Sequence, residues 1–398
     1  MGATGTLTDQ EIRRGCNLHV LPAPIVNASR ILKQTLSVAR SGLFSGVVIC
    51  GMAGSGLPRE ENLTHGRRLD RVGAVVDGRP TSVARRVLEQ LSWSRAVFRR
   101  YSRSDISVVN AHTVAVLPVC YLLSRRLGAK LIYDTHELET EAATSTGMQR
   151  LIFKLIERSL IAQCDAVFVV NQSIANWYRQ RYRGVRPVVI RNISDIEVPE
   201  KPIDLRALLS VPADKRLFVF TGRLGAGRHI RAILDAFAAP TVDAHVVFVG
   251  GVGALGSLVN EYCAHQQNIH LLPAVPPTEV VSYIAKCDAG LCLIQPTCLS
   301  YKLALPNKAF EYAQAGLPFL FTDLPEINRL LGPAFKGWHV DDPARNLAEA
   351  ITSLTADVIE RARADMARLR IPTWDEEAAA MIAVYSALVS PSGEPDID

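Results

Sequence analysis

The stretch Leu305-Pro-Asn-Lys-Ala-Phe-Glu-Tyr-Ala-Gln-Ala-Gly-Leu-Pro-Phe-Leu-Phe-Thr-Asp323 decides how this 398-residue chain is read. Pro306 and Asn307 are helix-start chemistry, with Asn307 expected as the N-cap of a helix from Lys308 to Ala315. Gly316 ends that helix, and Leu317 to Thr322 reads as a short buried strand. A loop running into a helix N-terminus offers unpaired N–H groups and a positive dipole end, which suits a diphosphate. Glu311 sits one turn into the helix, where a carboxylate could accept hydrogen bonds from ribose hydroxyls. An ordinary amphipathic helix with a solvated Glu fits the same spacing.

Working outward, strand-like and helix-like runs alternate along both halves. The first half carries Leu18 to Pro22, Gly46 to Cys50, Ser107 to Asn110, Lys130 to Asp134, Asp165 to Val170 and Pro187 to Arg191 as strands. The second carries Arg216 to Thr221, His245 to Gly250, Ile269 to Leu272 and Ala289 to Ile294. Helical patterns of ordinary length separate most of them. This is the α/β pattern of two parallel, doubly wound sheets. The charged, Pro-rich segment Val198 to Asp204 is expected to link them. The expected domains are therefore residues 1–198 and 199–373.

Ligands bind such sheets outside the carboxyl ends of the strands. There, Thr221-Gly-Arg-Leu-Gly-Ala-Gly-Arg228 combines flexible glycines with Arg223 and Arg228, two cations able to meet a leaving diphosphate. A surface turn with solvated arginines is the competing account. In the first half, Tyr133-Asp-Thr-His-Glu-Leu138 places His136 at a strand end, and His112 occupies an analogous one. An imidazole at the place of His136 can hydrogen-bond a ligand hydroxyl near neutral pH, while a lone His is more often structural or merely exposed. Gly51-Met-Ala-Gly-Ser-Gly56 lacks the Lys-Ser/Thr of a phosphate-binding P-loop and reads as a cleft loop. Glu137-Leu-Glu-Thr-Glu141 reads as the start of a solvated helix rather than a metal cluster.

The 305–323 segment resembles the donor-binding segment of retaining GT-B glycosyltransferases, specifically glycosyltransferase family 4, and the resemblance extends over about residues 105–335. It implies two Rossmann-like domains facing one cleft, with the last helix, about 374–390, packing back on the first. It implies transfer of a sugar from a nucleotide-diphosphate sugar to a glycan or lipid-linked acceptor, with no metal and no cofactor. The implied donor-binding residues are Gly222, Arg223, Arg228, Gly251, Pro306, Asn307, Lys308 and Glu311, with His136, Arg223 and Arg228 catalytic. His112 would line the acceptor pocket, and Asn192 would lie in the cleft-side hinge loop. Relatives carry a Lys where Arg228 stands and commonly a second Glu where this chain has Leu303. Those departures keep open a non-catalytic sugar-nucleotide-binding subunit. A nucleotide-sugar epimerase of the same architecture is the other rival.

Charge is divided unevenly. Residues 1–198 carry 27 Lys plus Arg against 16 Asp plus Glu, whereas residues 199–398 carry 17 against 23. The basic half is expected to face something anionic. Arg85, Arg86, Arg95, Arg99, Arg100 and Arg103 interleave with Trp93, Phe98 and Tyr101, which would let a helix lie peripherally on an anionic membrane with its rings inserted. No nucleic-acid recognition motif accompanies them. The longest run without charge, Ile106 to Ser124, is close to the roughly 20 residues that span a bilayer. Asn110, His112, Thr113 and Pro118 interrupt it, so a strand and buried helix are expected. No signal peptide is expected, and eight cysteines without a C-x-x-C pair point to reduced thiols in a cytoplasmic protein. A short acidic tail follows Ser390.

Overall fold

The computed structural model describes residues 15–26, 28–75, 83–143, 147–193, 198–251 and 253–390. The acidic tail lies outside the described residues. In the first domain the strands are β1 (Cys16–Val20), β2 (Val47–Met52), β3 (Glu60–Leu63), β4 (Arg67–Val72), β5 (Ile106–Ala111), β6 (Lys130–Thr135), β7 (Ala166–Val169) and β8 (Val188–Val189). They form one sheet in the order β3-β4-β2-β1-β5-β6-β7-β8, parallel throughout except for the β3–β4 pair. Helices α1 (Ser29–Arg40), α2 (Val83–Tyr101), α3 (Leu117–Leu127), α4 (Gly147–Leu160) and α5 (Gln172–Arg181) connect them.

The β3–β4 hairpin is absent from the strand pattern read above. Its residues, Glu60 to Leu63 and Arg67 to Val72, are too charged for an apolar run. The structure satisfies those charges instead of excluding them. Asp70, buried in β4, accepts from Tyr101 at 2.8 Å and pairs with Arg68 at 2.8 Å. Arg71, also buried, donates to the backbone oxygen of Pro24 and pairs with Glu61.

The second domain contains β9 (Arg216–Thr221), β10 (Ala244–Val249), β11 (Ile269–Leu272), β12 (Ala289–Cys292) and β13 (Phe319–Phe321), all parallel, in the order β11-β10-β9-β12-β13. Its helices are α6 (Leu205–Leu208), α7 (Ile230–Ala238), α8 (Gly256–His265), α9 (Val280–Ile284), α10 (Leu299–Lys302), α11 (Asn307–Gln314), α12 (Pro325–Leu331), α13 (Pro343–Ser353) and α14 (Ala356–Met366). Near-continuous Val, Phe and Leu in β9 and β10 match strands covered on both faces.

A last helix, α15 (Trp374–Val389), starts from a capping box in which Thr373 and Glu376 satisfy each other's backbone amides. It leaves the second domain and packs on the first sheet. Met381 and Tyr385 are buried with Val108, Ile132 and Phe168. The Tyr385 hydroxyl donates to Asn110 at 2.7 Å, Trp374 donates to Ser37, and Glu377 pairs with Arg191 at 2.6 Å. The domains also meet where Asn171 donates to the Leu303 carbonyl at 2.7 Å and Glu326 accepts from the Ser173 amide and hydroxyl.

Candidate active site

α11 is the element on which the second half of the site is built. It approaches the sheet closely because Gly290 of β12 lacks a side chain: a Cβ there would meet the Tyr312 ring at 2.8 Å. The buried Tyr312 hydroxyl then donates to the Val219 carbonyl and accepts from the Thr221 amide, pinning the helix to β9. The start of the helix differs from the sequence expectation. Pro306 occupies the cap position, Asn307 is the first helical residue, and no side chain caps the opening amides. Proline's fixed φ suits the entry to a helix. The Asn307 side chain is released to accept from Asn192 Nδ2 at 3.1 Å, which ties α11 to the loop after β8.

Lys308 is buried and Glu311 is half-buried. The Lys308 ammonium lies over the Phe220 ring, 3.4 Å from its centroid. Burial lowers its pKa to about 7, with neighbouring Arg228 adding to the effect and Cys292 and Glu311 opposing it. Burial likewise raises the Glu311 carboxyl above its ordinary value, opposed by Lys308 and by the Thr221 hydroxyl, which donates to it at 3.3 Å. The two lie one turn apart, neither neutralised by a close ion pair among the described residues, an arrangement that suits a polar ligand.

The loop after β9 supplies the arginines. Gly222 has φ of +105°, and Gly227 has φ of +80° in a position where a Cβ would strike the Tyr301 ring at 2.6 Å. Arg223 is exposed, and Arg228 is half-buried. The electrostatic neighbours of Arg228 include Lys308 and Cys292 in its own domain and Glu137 from the first. Gly251, singled out from the sequence, faces open space. The sterically demanding glycines of that turn are Gly250 and Gly253, where a Cβ would fall 1.8 Å from the Gly222 oxygen and 2.1 Å from the Leu224 oxygen.

In the first domain, β1, β5 and β6 end side by side and bring three histidines into a chain. His19 Nδ1 lies 2.8 Å from His112 Nε2, and His112 Nδ1 lies 3.0 Å from His136 Nε2. His19 and His112 are buried, and the His136 side chain is 28% exposed at the cleft. Burial lowers the His136 pKa to about 3 against the opposing influence of Asp134, so its ring is neutral at physiological pH. Burial alone would raise the Asp134 carboxyl. The Arg30 guanidinium and a hydrogen bond from His112 override this and hold it well below the usual carboxylate range. Arg30 clamps both Asp134 oxygens, at 2.6 and 3.1 Å, and Gln34 donates to one at 2.8 Å.

His112, Asp134 and His136 also hold ligand atoms within 4.8 Å of one another, as a metal site would. The Asp134 oxygens, however, are already taken by Arg30 and Gln34. Placing a cation there would set it against a fixed guanidinium.

The acidic run after His136 does not start a solvated helix. Glu139 to Glu141 form a single 3₁₀ turn, and Glu139 accepts from the Val114 amide at 3.0 Å. Leu303 packs against the core of the first domain. Residues that sequence reasoning passed over are Arg30, Gln34, His19 and Glu137. The strand-end rule could have found His19, which lies on β1 beside the two histidines that were named. Arg30 and Gln34 carry no such signal, because on a helical pattern they look solvent-facing.

Residues 46–198 match the family model Glycosyltransferase Family 4, and residues 215–357 match the model Glycosyl transferases group 1. No curated protein matches the chain. Among solved structures, sucrose-phosphate synthase from Thermosynechococcus elongatus superposes with a TM-score of 0.75 at 16% identity, covering 94% of this chain and 99% of that one. HepE from Anabaena, in complex with UDP-glucose, gives 0.66 at 16% identity with 94% and 99% covered. The lipopolysaccharide outer core galactosyltransferase WaaB in its apo form gives 0.59 at 12% identity with 92% and 99% covered. The fold is that of the GT-B glycosyltransferases. The two family models, lying in tandem along the chain, support a glycosyltransferase of that type.

Proposed function

We propose that the chain is a retaining, metal-independent glycosyltransferase that moves a sugar from a nucleotide-diphosphate sugar to a glycan or lipid-linked acceptor in cell-surface polysaccharide or glycolipid synthesis. The observation that carries this reading is the grouping of Lys308 and Glu311, on the uncapped helix α11, with Arg228 from the loop after β9. Nucleotide-sugar binding is supported by the likeness to HepE in complex with UDP-glucose. In this reading Glu311 holds the ribose, while Arg223, Arg228, Lys308 and the α11 amides meet the diphosphate. His136, neutral, hydrogen-bonds the sugar from across the cleft.

The reaction forms a bond from the acceptor oxygen to the anomeric carbon and breaks the bond from that carbon to the diphosphate. With front-side attack, the leaving phosphate oxygen takes the acceptor's proton, and retention needs no protein nucleophile. Incubating the protein with UDP, GDP, ADP and dTDP sugars and scoring thermal shifts selects the donor. NMR of the product anomer then tests retention, and an inverted product would overturn that part. Donor incubated alone separates an epimerase, which would isomerise it without an acceptor. Leu303 favours a second reading: its side chain packs at the domain interface, so no carboxylate reaches the sugar from that position. A subunit that binds sugar nucleotide without turnover would show shifts but no product.

Two outcomes follow for α11. Glu311→Ala should weaken nucleotide binding by roughly 1.5–3 kcal/mol, the usual worth of hydrogen bonds to a charged group. Unchanged affinity in calorimetry would remove Glu311 from the site. Lys308 makes binding pH-dependent. Its folded pKa of about 7 means the free protein increasingly holds it neutral above that pH. A bound diphosphate favours the ammonium, so binding must take up a proton and affinity should fall by up to about tenfold per pH unit above 7. Calorimetry at pH 8 in buffers of different ionisation heat should show this uptake, and Lys308→Met should abolish it. No uptake by the unaltered protein would place Lys308 away from the diphosphate.

The membrane contact expected from the Arg-aromatic pattern needs revision. Trp93 and Tyr101 are 3% and 2% exposed, so those rings belong to the core and cannot insert into a bilayer. No helix of the described residues is long and apolar enough to cross a membrane. Peripheral attachment through the basic first domain is still proposed, and it should weaken as salt shortens the Debye length to about 3 Å at 1 M. Flotation with anionic vesicles at low and high salt measures it. Failure to float at low salt would favour an acceptor free in solution.

A further inference from the structure

The donor chemistry leaves one large feature unused: the outer face of α2, α3 and α4. A groove of about 640 Å³ runs between these helices, walled by Val87, Leu91, Pro118, Leu122, Ile152 and Phe153. Leu91, Leu122 and Ile152 are 55%, 56% and 40% exposed. On α4, the exposed Met148, Leu151, Ile152 and Leu155 recur at helical spacing and form an apolar stripe that faces outward. Such a stripe normally faces a core. Single exposed leucines are commonplace, whereas an apolar stripe bordering an apolar groove marks an interaction surface.

Charge narrows the choice of occupant. Arg86, Arg95 and Arg99 line the same groove, and no carboxylate lines it. Neighbouring Arg85 and Arg100 pair with Glu89 and Glu60, but these three have no carboxylate partner among the described residues. A second copy of this face would set arginine against arginine, at a cost to association. An anionic headgroup on a hydrocarbon chain satisfies both the arginines and the apolar walls.

Topology says where the groove opens. α3 and α4 follow β5 and β6, and α2 precedes β5, so all three helices begin at the carboxyl edge of the sheet. The histidines lie at that edge. Ala115 and Pro118 of the groove come just after His112 in the chain. We propose that the groove between α2, α3 and α4 binds the hydrocarbon chain of an anionic lipid acceptor and presents its sugar-accepting end to the cleft beside His112 and His136. This rests on the glycosyl-transfer reading above and narrows its acceptor to a lipid.

The test is a calorimetric titration of the full chain with a short-chain phosphatidylglycerol kept below its micelle concentration. The groove should give saturable one-site binding, weaker with phosphatidylcholine of the same chain length. The triple variant Leu91→Glu, Leu122→Glu, Ile152→Glu alters only exposed positions. It should lose at least about tenfold in lipid affinity, equal to 1.4 kcal/mol. Its nucleotide-sugar affinity should stay unchanged, which also reports that it is folded. Absence of saturable lipid binding, or a variant that binds lipid as the unaltered protein does, overturns the proposal. So does a dimer that the variant converts to monomer, since the face would then pair copies. Nucleotide-sugar binding is read separately: lipid binding without it would sink the transferase reading and leave the lipid site standing.

Discussion

Turnover of Arg228→Ala is expected to fall by about 10²–10³-fold, roughly 2.7–4 kcal/mol, with the affinity for the bare nucleoside nearly unchanged. The reason is position. Arg228 is half-buried, with Lys308 and, from the other domain, Glu137 as electrostatic neighbours, and in the proposed function its charge meets the leaving diphosphate. Charge that grows in the transition state is stabilised more than charge already present, so kcat suffers before binding does. Arg223→Ala should cost less, because Arg223 is exposed and water screens its charge. Arg228→Lys should recover part of the loss, since it restores the charge without the bidentate fork. Steady-state kinetics with the donor found by the thermal-shift panel decides the matter. Turnover within about twofold of the unaltered protein, near 0.4 kcal/mol, would remove Arg228 from the leaving-group role.

Asp134→Ala should destabilise the protein by about 3–5 kcal/mol, because it leaves the buried Arg30 charge without its carboxylate, with only the Ile190 carbonyl to accept from it. Arg30 is 5% exposed and Asp134 is 1% exposed. The same substitution frees Gln34 and removes the carboxylate nearest to His112 and His136. Denaturant unfolding measures the loss. A change below about 1 kcal/mol would mean that the pair is neutral in the fold. The pH dependence has a defined sign. Because the folded pKa of Asp134 lies below its unfolded value, its contribution is present above about pH 4 and is lost as the pH falls through the folded pKa. The Asp134→Ala variant should therefore lose stability less steeply on acidification.

The fold was legible wherever apolar runs were long. β9, β10 and the 305–323 segment stand out because parallel strands buried on both faces leave little room for polar residues. The β3–β4 hairpin was illegible because its charges are paired in three dimensions, through Tyr101 to Asp70 and Glu61 to Arg71, and pairing of that kind leaves no periodic trace. The basic-aromatic run misled in the opposite direction. Helical spacing alone could not say that Trp93 and Tyr101 point inward while Leu91 points outward.

The site divides along the same line. The sequence by itself determined where the candidate residues fall: His112 and His136 after β5 and β6, Arg223 and Arg228 after β9, and Glu311 on α11, with Lys308 beside it named through the family resemblance. A strand end in a doubly wound sheet faces the ligand crevice whatever the surrounding detail. Only the tertiary structure decided how those residues are held. His19 joins the other histidines because β1 pairs with β5, and Arg30 reaches Asp134 because α1 crosses the sheet. It also decided that Asn307 binds Asn192 instead of capping its helix, and that Leu303 serves the domain interface. These are contacts between residues far apart in the chain, and their energies depend on burial. Local spacing carries the first kind of information, and burial arises only when the layers close.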